Sequence, residues 1–577
     1  MNSKLDVKKE ENNFRFLTTL DGYEIIRNPL LYKGTAFTDD ERKNLGIQGM
    51  IPPGILTLED QIEKFYKKYK NIDTHYYSED NERSCDIARF NFLRELQDRN
   101  EVLFYAFCSK YLEEVLPIIY TPTVGDAVIR YSKDSARFRG VFITPSSIEY
   151  IQNILGNFRF KNPTIAVVTD NQGILGIGDQ GVGGIDIPIG KLALYVLGAG
   201  VRPWETLPIT LDVGTNNEEE LEDSYYLGYK STRLTGKKYD DFIDKFVKEI
   251  TEKFPNILIQ WEDFSRQNAF SILEKYQYEI LSFNDDIQGT GAVALAGILS
   301  ALKIKDEELS KQRFVIYGAG AGGVGIAKQI ASCLVSEYNL SEQQAKELIV
   351  LLDSRGMLTE ERKMQDYKKP FSKNKNFYQS WNLENTENIT LLDVVKNFQP
   401  TVLIGTSGQP GHFDKTIIKE MAKNTQYPVI FPMSNPNSKS EAKPEEIYKY
   451  TDGKAIVATG SPFKPFNFKG KKINISQGNN FYIFPGVGLG AIFSKAKYIS
   501  DQVFTKAAYT LADLTPDSLL KKNMVYPNIK EIRDISANIA YEVSKQVSIE
   551  QKTKELSLEE IKNMMWKPVY PKIEKIN

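Results

Sequence analysis

Two acidic pairs, Glu262-Asp263 and Asp285-Asp286, each end a short strand-like run: Ile259-Gln260-Trp261 before the first and Ser282-Phe283-Asn284 before the second. Carboxylates gathered at strand ends repel one another unless they share something positive. One such pair alone would read as a solvated acidic turn. Two, each embedded in apolar residues, read as a ligand set. No His or Cys lies in this stretch, so the ligands are all oxygen, which suits a hard ion such as Mg2+ or Mn2+. A third chemical feature is the loop Gly176-Ile177-Gly178-Asp179-Gln180-Gly181-Val182-Gly183-Gly184, followed by Pro188-Ile189-Gly190-Lys191. It looks like a phosphate loop, but its spacing is one residue too long and Leu192 stands where Ser or Thr is needed. The better reading is a backbone loop that delivers Lys191 into a site. Lys191 opens the apolar run Leu192 to Leu197, so burial and a depressed pKa are expected.

The run Val315 to Gly325 contains Gly318, Gly320 and Gly323 in a GxGxxG pattern, after a strand-like segment and before a helical one. The first glycine permits a tight turn, the second admits a pyrophosphate to the backbone, and the third lets helix and strand pack closely. A second strand-like run ends in Asp353, 35 residues beyond Gly318, later than the roughly 20 usual for the ribose-binding acid. A longer helix and a short insertion around Glu337 to Gln344 account for the gap. Asp353 favours NAD. Ser354, Arg355 and Lys368 would accept the 2'-phosphate of NADP, so both cofactors stay open.

These groups need elements to hold them. Residues from about 30 to 130 read as mostly helical, with helical spacing in Leu58–Tyr69 and Cys85–Val115 broken by Asp, Asn and Pro. From about 140 to 285 strand candidates (Ile165–Thr169, Leu207–Asp212, Ile257–Trp261, Glu279–Phe283) alternate with helix candidates (Pro188–Leu197, Tyr239–Phe254), which predicts a parallel α/β sheet. A second α/β pattern starts at about 286. Its strands are Arg313–Tyr317, Glu347–Leu352, Thr401–Ile404, Val429–Pro432 and Ala455–Thr459, with a helix at Gly322–Ser336. The last three strands end in Gly405-Thr406-Ser407, Ser434-Asn435-Pro436 and Gly460-Ser461-Pro462, and the carboxyl ends of strands are where open α/β sheets bind ligands. The expected fold is α/β: a helical N-terminal region (1–138), a catalytic α/β domain (139–285, completed by about 480–546), a Rossmann-type dinucleotide-binding domain (286–479) and a C-terminal tail (547–577).

Composition narrows the function class. The 577 residues exceed one core. The 73 basic and 75 acidic side chains nearly cancel, which removes the electrostatic case for nucleic acid or an anionic membrane. Lys67, Lys68 and Lys70 read as a solvated helix face. Cys85, Cys108 and Cys333 form no CxxC pair and read as inert thiols in a reducing compartment. Two histidines, His75 and His412, nearly exclude a Ser-His-Asp triad or a HExxH zinc site. Met1 to Asn13 lacks the apolar run of a signal peptide, and the apolar stretch Ala292–Leu302 is too short to span a bilayer. A cytoplasmic protein is expected, with the mitochondrial matrix as the alternative.

With these pieces together the chain resembles the malic enzymes of the large-subunit type over roughly residues 20 to 570. The motifs that carry the resemblance are Tyr120-Thr121-Pro122-Thr123-Val124-Gly125, the Gly176–Lys191 loop, Leu211-Asp212-Val213-Gly214-Thr215-Asn216-Asn217, Trp261-Glu262-Asp263-Phe264, Phe283-Asn284-Asp285-Asp286-Ile287-Gln288-Gly289-Thr290, Ser434-Asn435-Pro436 and Gln477-Gly478-Asn479-Asn480. The resemblance implies NAD(P)- and Mg2+- or Mn2+-dependent oxidative decarboxylation of L-malate to pyruvate and carbon dioxide, by a homodimer or homotetramer. It assigns Tyr120 as proton donor, Lys191 as base and Asp285 as the base's support. Glu262, Asp263 and Asp286 become metal ligands, and Asn435, Asn479 and Asn480 substrate contacts, with Asn435 also near the cofactor. For Lys191 to act as base, its pKa must fall from ~10.4 toward ~7–8 through burial and nearby positive charge.

One departure stands out. Gly173 occupies a position where many members carry an arginine that grips a malate carboxylate. This form is similar to fungal and some bacterial members, and to malolactic enzymes, which release lactate and retain the nucleotide. Arg137 or Arg139 is the expected replacement, and Arg99 a candidate for the second, fumarate site that some members have.

Overall fold

Two parallel sheets carry the chain, each built where short apolar runs alternate with helices. The computed structural model describes residues 5–10, 14–72, 81–134, 138–158 and 162–576. The first sheet orders its strands Val141–Ile143, Thr206–Leu211, Ile165–Thr169, Leu258–Trp261 and Ser282–Asn284, all neighbours parallel. Its central strands are buried along their whole length. Strands covered on both faces must be apolar throughout, hence the unbroken Ile165-Ala166-Val167-Val168.

Register decides where the chemistry emerges. Trp261 pairs with Asn284, so the acidic pairs that follow each residue leave the sheet side by side. The segment around Glu279–Phe283 is less extended than its pattern predicts: Glu279 and Ile280 donate back to the Tyr276 carbonyl, closing the preceding helix, and only Ser282–Asn284 joins the sheet.

The second sheet orders Gly356–Met357, Ile349–Asp353, Phe314–Tyr317, Val402–Gly405, Val429–Pro432, Ile456–Thr459 and Ser476–Gln477. All pairs are parallel except the two-residue edge at Gly356–Met357. The gap between Gly318 and Asp353 is filled by helix Ala321–Tyr338 and a second, capped helix Glu342–Glu347.

The N-terminal region is helical, in Leu58–Lys70, Asn81–Arg99, Glu101–Lys110, Leu112–Ile119 and Thr123–Asp134. Asn100 separates two of these and caps the second, accepting from the Leu103 N–H. Pro117 lies inside Leu112–Ile119 without breaking it. The region opens with paired strands Leu5–Lys9 and Phe14–Thr18, and strand Lys572–Lys575 from the other end of the chain adds to them. The C-terminal tail is therefore folded structure, with Trp566 buried against Tyr105 and Trp204.

The expectation that no apolar helix is long enough to span a bilayer needs correction. Helical stretches Gly181–Ala199 and Asp285–Lys305 reach that length and composition. Both are core helices: the most apolar window is wholly buried in the first and 83% buried in the second. The sequence pattern undercounted the second because its amino end carries Asp285 and Asp286 in a single π turn.

Candidate active site

The two acidic pairs meet as the sheet register requires. Ligand oxygens of Glu262, Asp263 and Asp286 all lie within 4.8 Å of one another. The Asp286 Oδ2 accepts from the Asp263 N–H at 2.8 Å, and Asp263 Oδ1 accepts from the Leu175 N–H at 3.1 Å. Asp263 holds a left-handed backbone, φ 55°, a conformation that Asp and Asn tolerate best among residues with a side chain. Its Oδ2 is buried with no hydrogen-bond partner. Burial, reinforced by mutual repulsion, pushes Glu262 and Asp263 well above the usual carboxylate range and Asp286 up to about 6. An all-oxygen set with one oxygen unsatisfied and too much negative charge for its burial fits a hard divalent cation.

Lys191 stands beside this cluster on helix Asp186–Ala199, every residue of which is buried. Gly190 lets that helix approach Tyr120: a Cβ there would stand 3.4 Å from the Tyr120 ring. Helices Phe484–Phe493 and Ile532–Gln551 cover the same helix. The Lys191 Nζ donates to Asp285 Oδ2 at 2.5 Å, faces Glu262 Oε1 at 2.8 Å, and lies 5.4 Å from the Tyr120 ring centre and 4.6 Å from that of Phe484. Lys191 is buried as expected, but its pKa is not depressed. Burial alone would lower it, yet Asp285 and Glu262 outweigh burial and hold the ammonium well above the usual lysine range. The expected positive neighbour is absent from the protein's described residues around it; the neighbours are carboxylates. Burial also pushes the Tyr120 phenol well above its usual range, against the pull of Lys191.

Asn480 joins this group, its Nδ2 donating to Asp285 Oδ2 at 3.1 Å and to Thr290 Oγ1 at 3.0 Å. Asn479 does different work: its side chain accepts from the Phe481 N–H and caps the turn at Asn480–Tyr482. Asn435, exposed at the end of its strand, accepts from Ser461 Oγ.

Gly173 is packed too tightly for any side chain. A Cβ there would fall 2.4 Å from the Phe264 carbonyl oxygen and 3.0 Å from that of Asp263, because the Gly173 N–H donates to Asp263 O at 2.7 Å. Arg139 does not replace the arginine. Its guanidinium is committed to Asp98 at 3.2 Å and Glu101 at 2.5 Å in the helical region. Arg137 and His75 lie outside the described residues. Arg99 rests over the Phe65 ring with Glu95 at 3.8 Å.

Two buried groups escaped the sequence reading because nothing nearby in the chain marks them. Arg233 donates to Asp179 Oδ1 at 3.1 Å, to Gly214 O at 2.9 Å and to Asp170 O, pinning the loop that leads to Lys191. Glu441, fully buried, accepts from the Ser407 N–H and Oγ at 2.8 Å each and from Ser434 Oγ at 2.5 Å. It ties together the loops after two strands of the second sheet.

At the glycine turn, Gly318 has φ 121°, and a Cβ on it would sit 2.5 Å from the Thr406 backbone. One on Gly323 would fall 1.8 Å from the Gly318 carbonyl oxygen. Helix Ala321–Tyr338 starts directly after Gly320. Asp353 ends the neighbouring strand and accepts from Arg362 at 2.7 Å and Lys368 at 3.2 Å. Burial pushes its carboxyl up, but these cations hold it below the usual range. Ser354 and Arg355 are exposed, and the Arg355 guanidinium donates to the Lys363 carbonyl at 3.0 Å. The cysteines are unpaired, and burial pushes the Cys333 thiol up to about 12.

Comparison with known proteins agrees with this layout. Residues 97–277 match the malic enzyme N-terminal domain and residues 287–548 the malic enzyme NAD binding domain. The chain is 42% identical to proteins named NAD-dependent malic enzyme from Photorhabdus laumondii, over 95% of both chains, and from Acinetobacter baylyi, over 95% of this chain and 96% of that one. The crystal structure of the Entamoeba histolytica malic enzyme shares the fold, with a TM-score of 0.53 at 23% identity, covering 85% of this chain and 88% of that one. A parallel α/β sheet ending in clustered acids and a lysine, joined to a glycine-turn dinucleotide fold, thus has a family: the chain belongs to the malic enzymes.

Proposed function

We propose that this oxidoreductase catalyses the NAD- and divalent-metal-dependent oxidative decarboxylation of L-malate to pyruvate and carbon dioxide. The observation that carries the proposal is the buried Lys191 ammonium shared between Asp285 and Glu262, beside the Glu262–Asp263–Asp286 oxygen cluster and the Tyr120 ring. Glu262, Asp263 and Asp286 would hold the metal, whose bound charge supplies Lewis-acid polarisation of the substrate hydroxyl and weakens the field that keeps Lys191 protonated. Gly318, Gly320 and Gly323 at the glycine turn would hold NAD, which would supply the hydride acceptor.

The rest is done by the chain's own groups. Lys191 takes the malate hydroxyl proton at Nζ, with Asp285 holding the ammonium that forms. Asn480 keeps the Asp285 carboxylate in place from its other side. Tyr120, whose phenol stays protonated, returns a proton to the methylene carbon after carbon dioxide leaves. Burial of Lys191, Tyr120 and Glu262 excludes water from the proton path.

The test is product stoichiometry with malate, NAD and Mn2+: one pyruvate and one NADH per malate consumed are expected. Lactate without net NADH would make the protein a malolactic enzyme. Unchanged turnover in Lys191→Ala would overturn the residue assignment.

A further inference from the structure

Arg266 opens helix Arg266–Tyr276, capped by Ser265, the one residue between it and the acidic segment Glu262-Asp263-Phe264. A cation in the first turn of a helix works against the helix dipole. That helix carries no acid in its first turn to offset it. Arg266 is exposed, and its guanidinium has neither hydrogen bond nor ion pair among the described residues. It reaches across from the first sheet to the glycine turn of the second: a Cβ on Gly320 would stand 3.3 Å from Arg266 Nε. Gly320 is the glycine through which a pyrophosphate approaches the backbone.

The glycine turn supplies no cation of its own. Residues 314–327 contain no lysine or arginine, so the turn offers only backbone N–H groups and a helix amino end to a doubly charged pyrophosphate. The other cations nearby are engaged. Arg362 and Lys368 are on Asp353, Arg355 is on the Lys363 carbonyl, and Lys328 lies over the Phe270 ring. A residue that breaks the local helix rule and makes no hydrogen bond or ion pair among the described residues, at a ligand's approach, is expected to serve the ligand.

We infer that Arg266 is a cofactor-binding residue that pairs with the dinucleotide pyrophosphate. This rests on the NAD reading of the second domain.

The experiment is binding, without turnover. Arg266→Ala and Arg266→Lys are titrated with NADH by fluorescence, and with NADPH, ADP-ribose and adenosine by competition or calorimetry. A charge-assisted hydrogen bond of this kind corresponds to roughly 10- to 100-fold in affinity. Arg266→Ala should weaken NADH and ADP-ribose by the same factor in that range, leave adenosine within two-fold, and lose more at low salt than at high. Arg266→Lys should recover part of the loss. NADH affinity within two-fold of wild type would overturn the inference. So would an equal loss for adenosine, which signals a distorted site, or a loss confined to NADPH, which places the contact on the 2'-phosphate. Wild-type protein that binds no NADH would instead overturn the cofactor reading beneath it.

Discussion

Asp263→Asn separates a metal site from an acidic pocket that merely tolerates its charges. Two unit charges within 4.8 Å of each other repel by at least about 3.5 kcal/mol at an effective dielectric of ~20, and Asp263 faces two such neighbours. The penalty has a ceiling, because a carboxyl can take up a proton: holding Asp263, whose ordinary pKa is 3.8, neutral at pH 7 costs about 4 kcal/mol. Asparagine removes the charge, keeps an Oδ1 to accept from Leu175, and suits the left-handed backbone at this position. In chelator the variant should therefore be more stable than wild type by about 2 kcal/mol or more, roughly 4–8 °C for a domain of this size. Mn2+ at ~100 times its Kd should stabilise wild type by about 2.7 kcal/mol and the variant by much less. Thermal unfolding with EDTA and with excess Mn2+ reads both effects. A variant that melts lower than wild type in EDTA, or an equal Mn2+ shift in both proteins, would refute the reasoning.

Gly173→Ala drives a Cβ into the Phe264 carbonyl and should cost about 1–3 kcal/mol, visible in urea denaturation together with weakened Mn2+ binding. Lys373 is buried with its Nζ on the Lys346 carbonyl at 2.5 Å, and burial lowers its pKa to about 7. Between that value and its ordinary 10.5 the unfolded chain binds one more proton, so stability should rise with pH across this window, by at most about 5 kcal/mol. Lys373→Met should abolish that slope and stabilise the protein at pH 7, as paired melts at pH 7 and 9.5 would reveal. Glu441→Gln places an amide among donors that already point at the carboxylate. A loss of about 1–3 kcal/mol in loop stability is expected, read as faster hydrogen exchange at Ser407 and Ser434 and weaker NADH binding.

Much of the fold was legible because strands buried on both faces must be apolar throughout, and Ile165–Thr169 and Val429–Pro432 announce themselves that way. Strand ends were harder to read. Glu279–Leu281 looks like strand by residue type, but the Glu279 and Ile280 N–H groups are taken by the Tyr276 carbonyl. The apolar helix after Asp286 was undercounted because a helix amino end can hold acids that an apolar count rejects.

The sequence by itself determined which residues are able to do the chemistry: the two acidic pairs, Lys191 and the GxGxxG turn are visible as residue types at strand and helix boundaries, which local spacing controls, and Tyr120 enters only through the family motif that carries it. Only the tertiary structure decided what surrounds each one. It placed Trp261 opposite Asn284, so that two distant acidic pairs became one cluster. It put carboxylates beside Lys191 where a positive neighbour was expected, reversing the direction of its pKa shift. It also closed Gly173 against the Phe264 carbonyl and brought Arg266 to a glycine turn in another sheet. Charge and close packing act through space, and sheet register and domain packing set those distances; spacing along the chain does not.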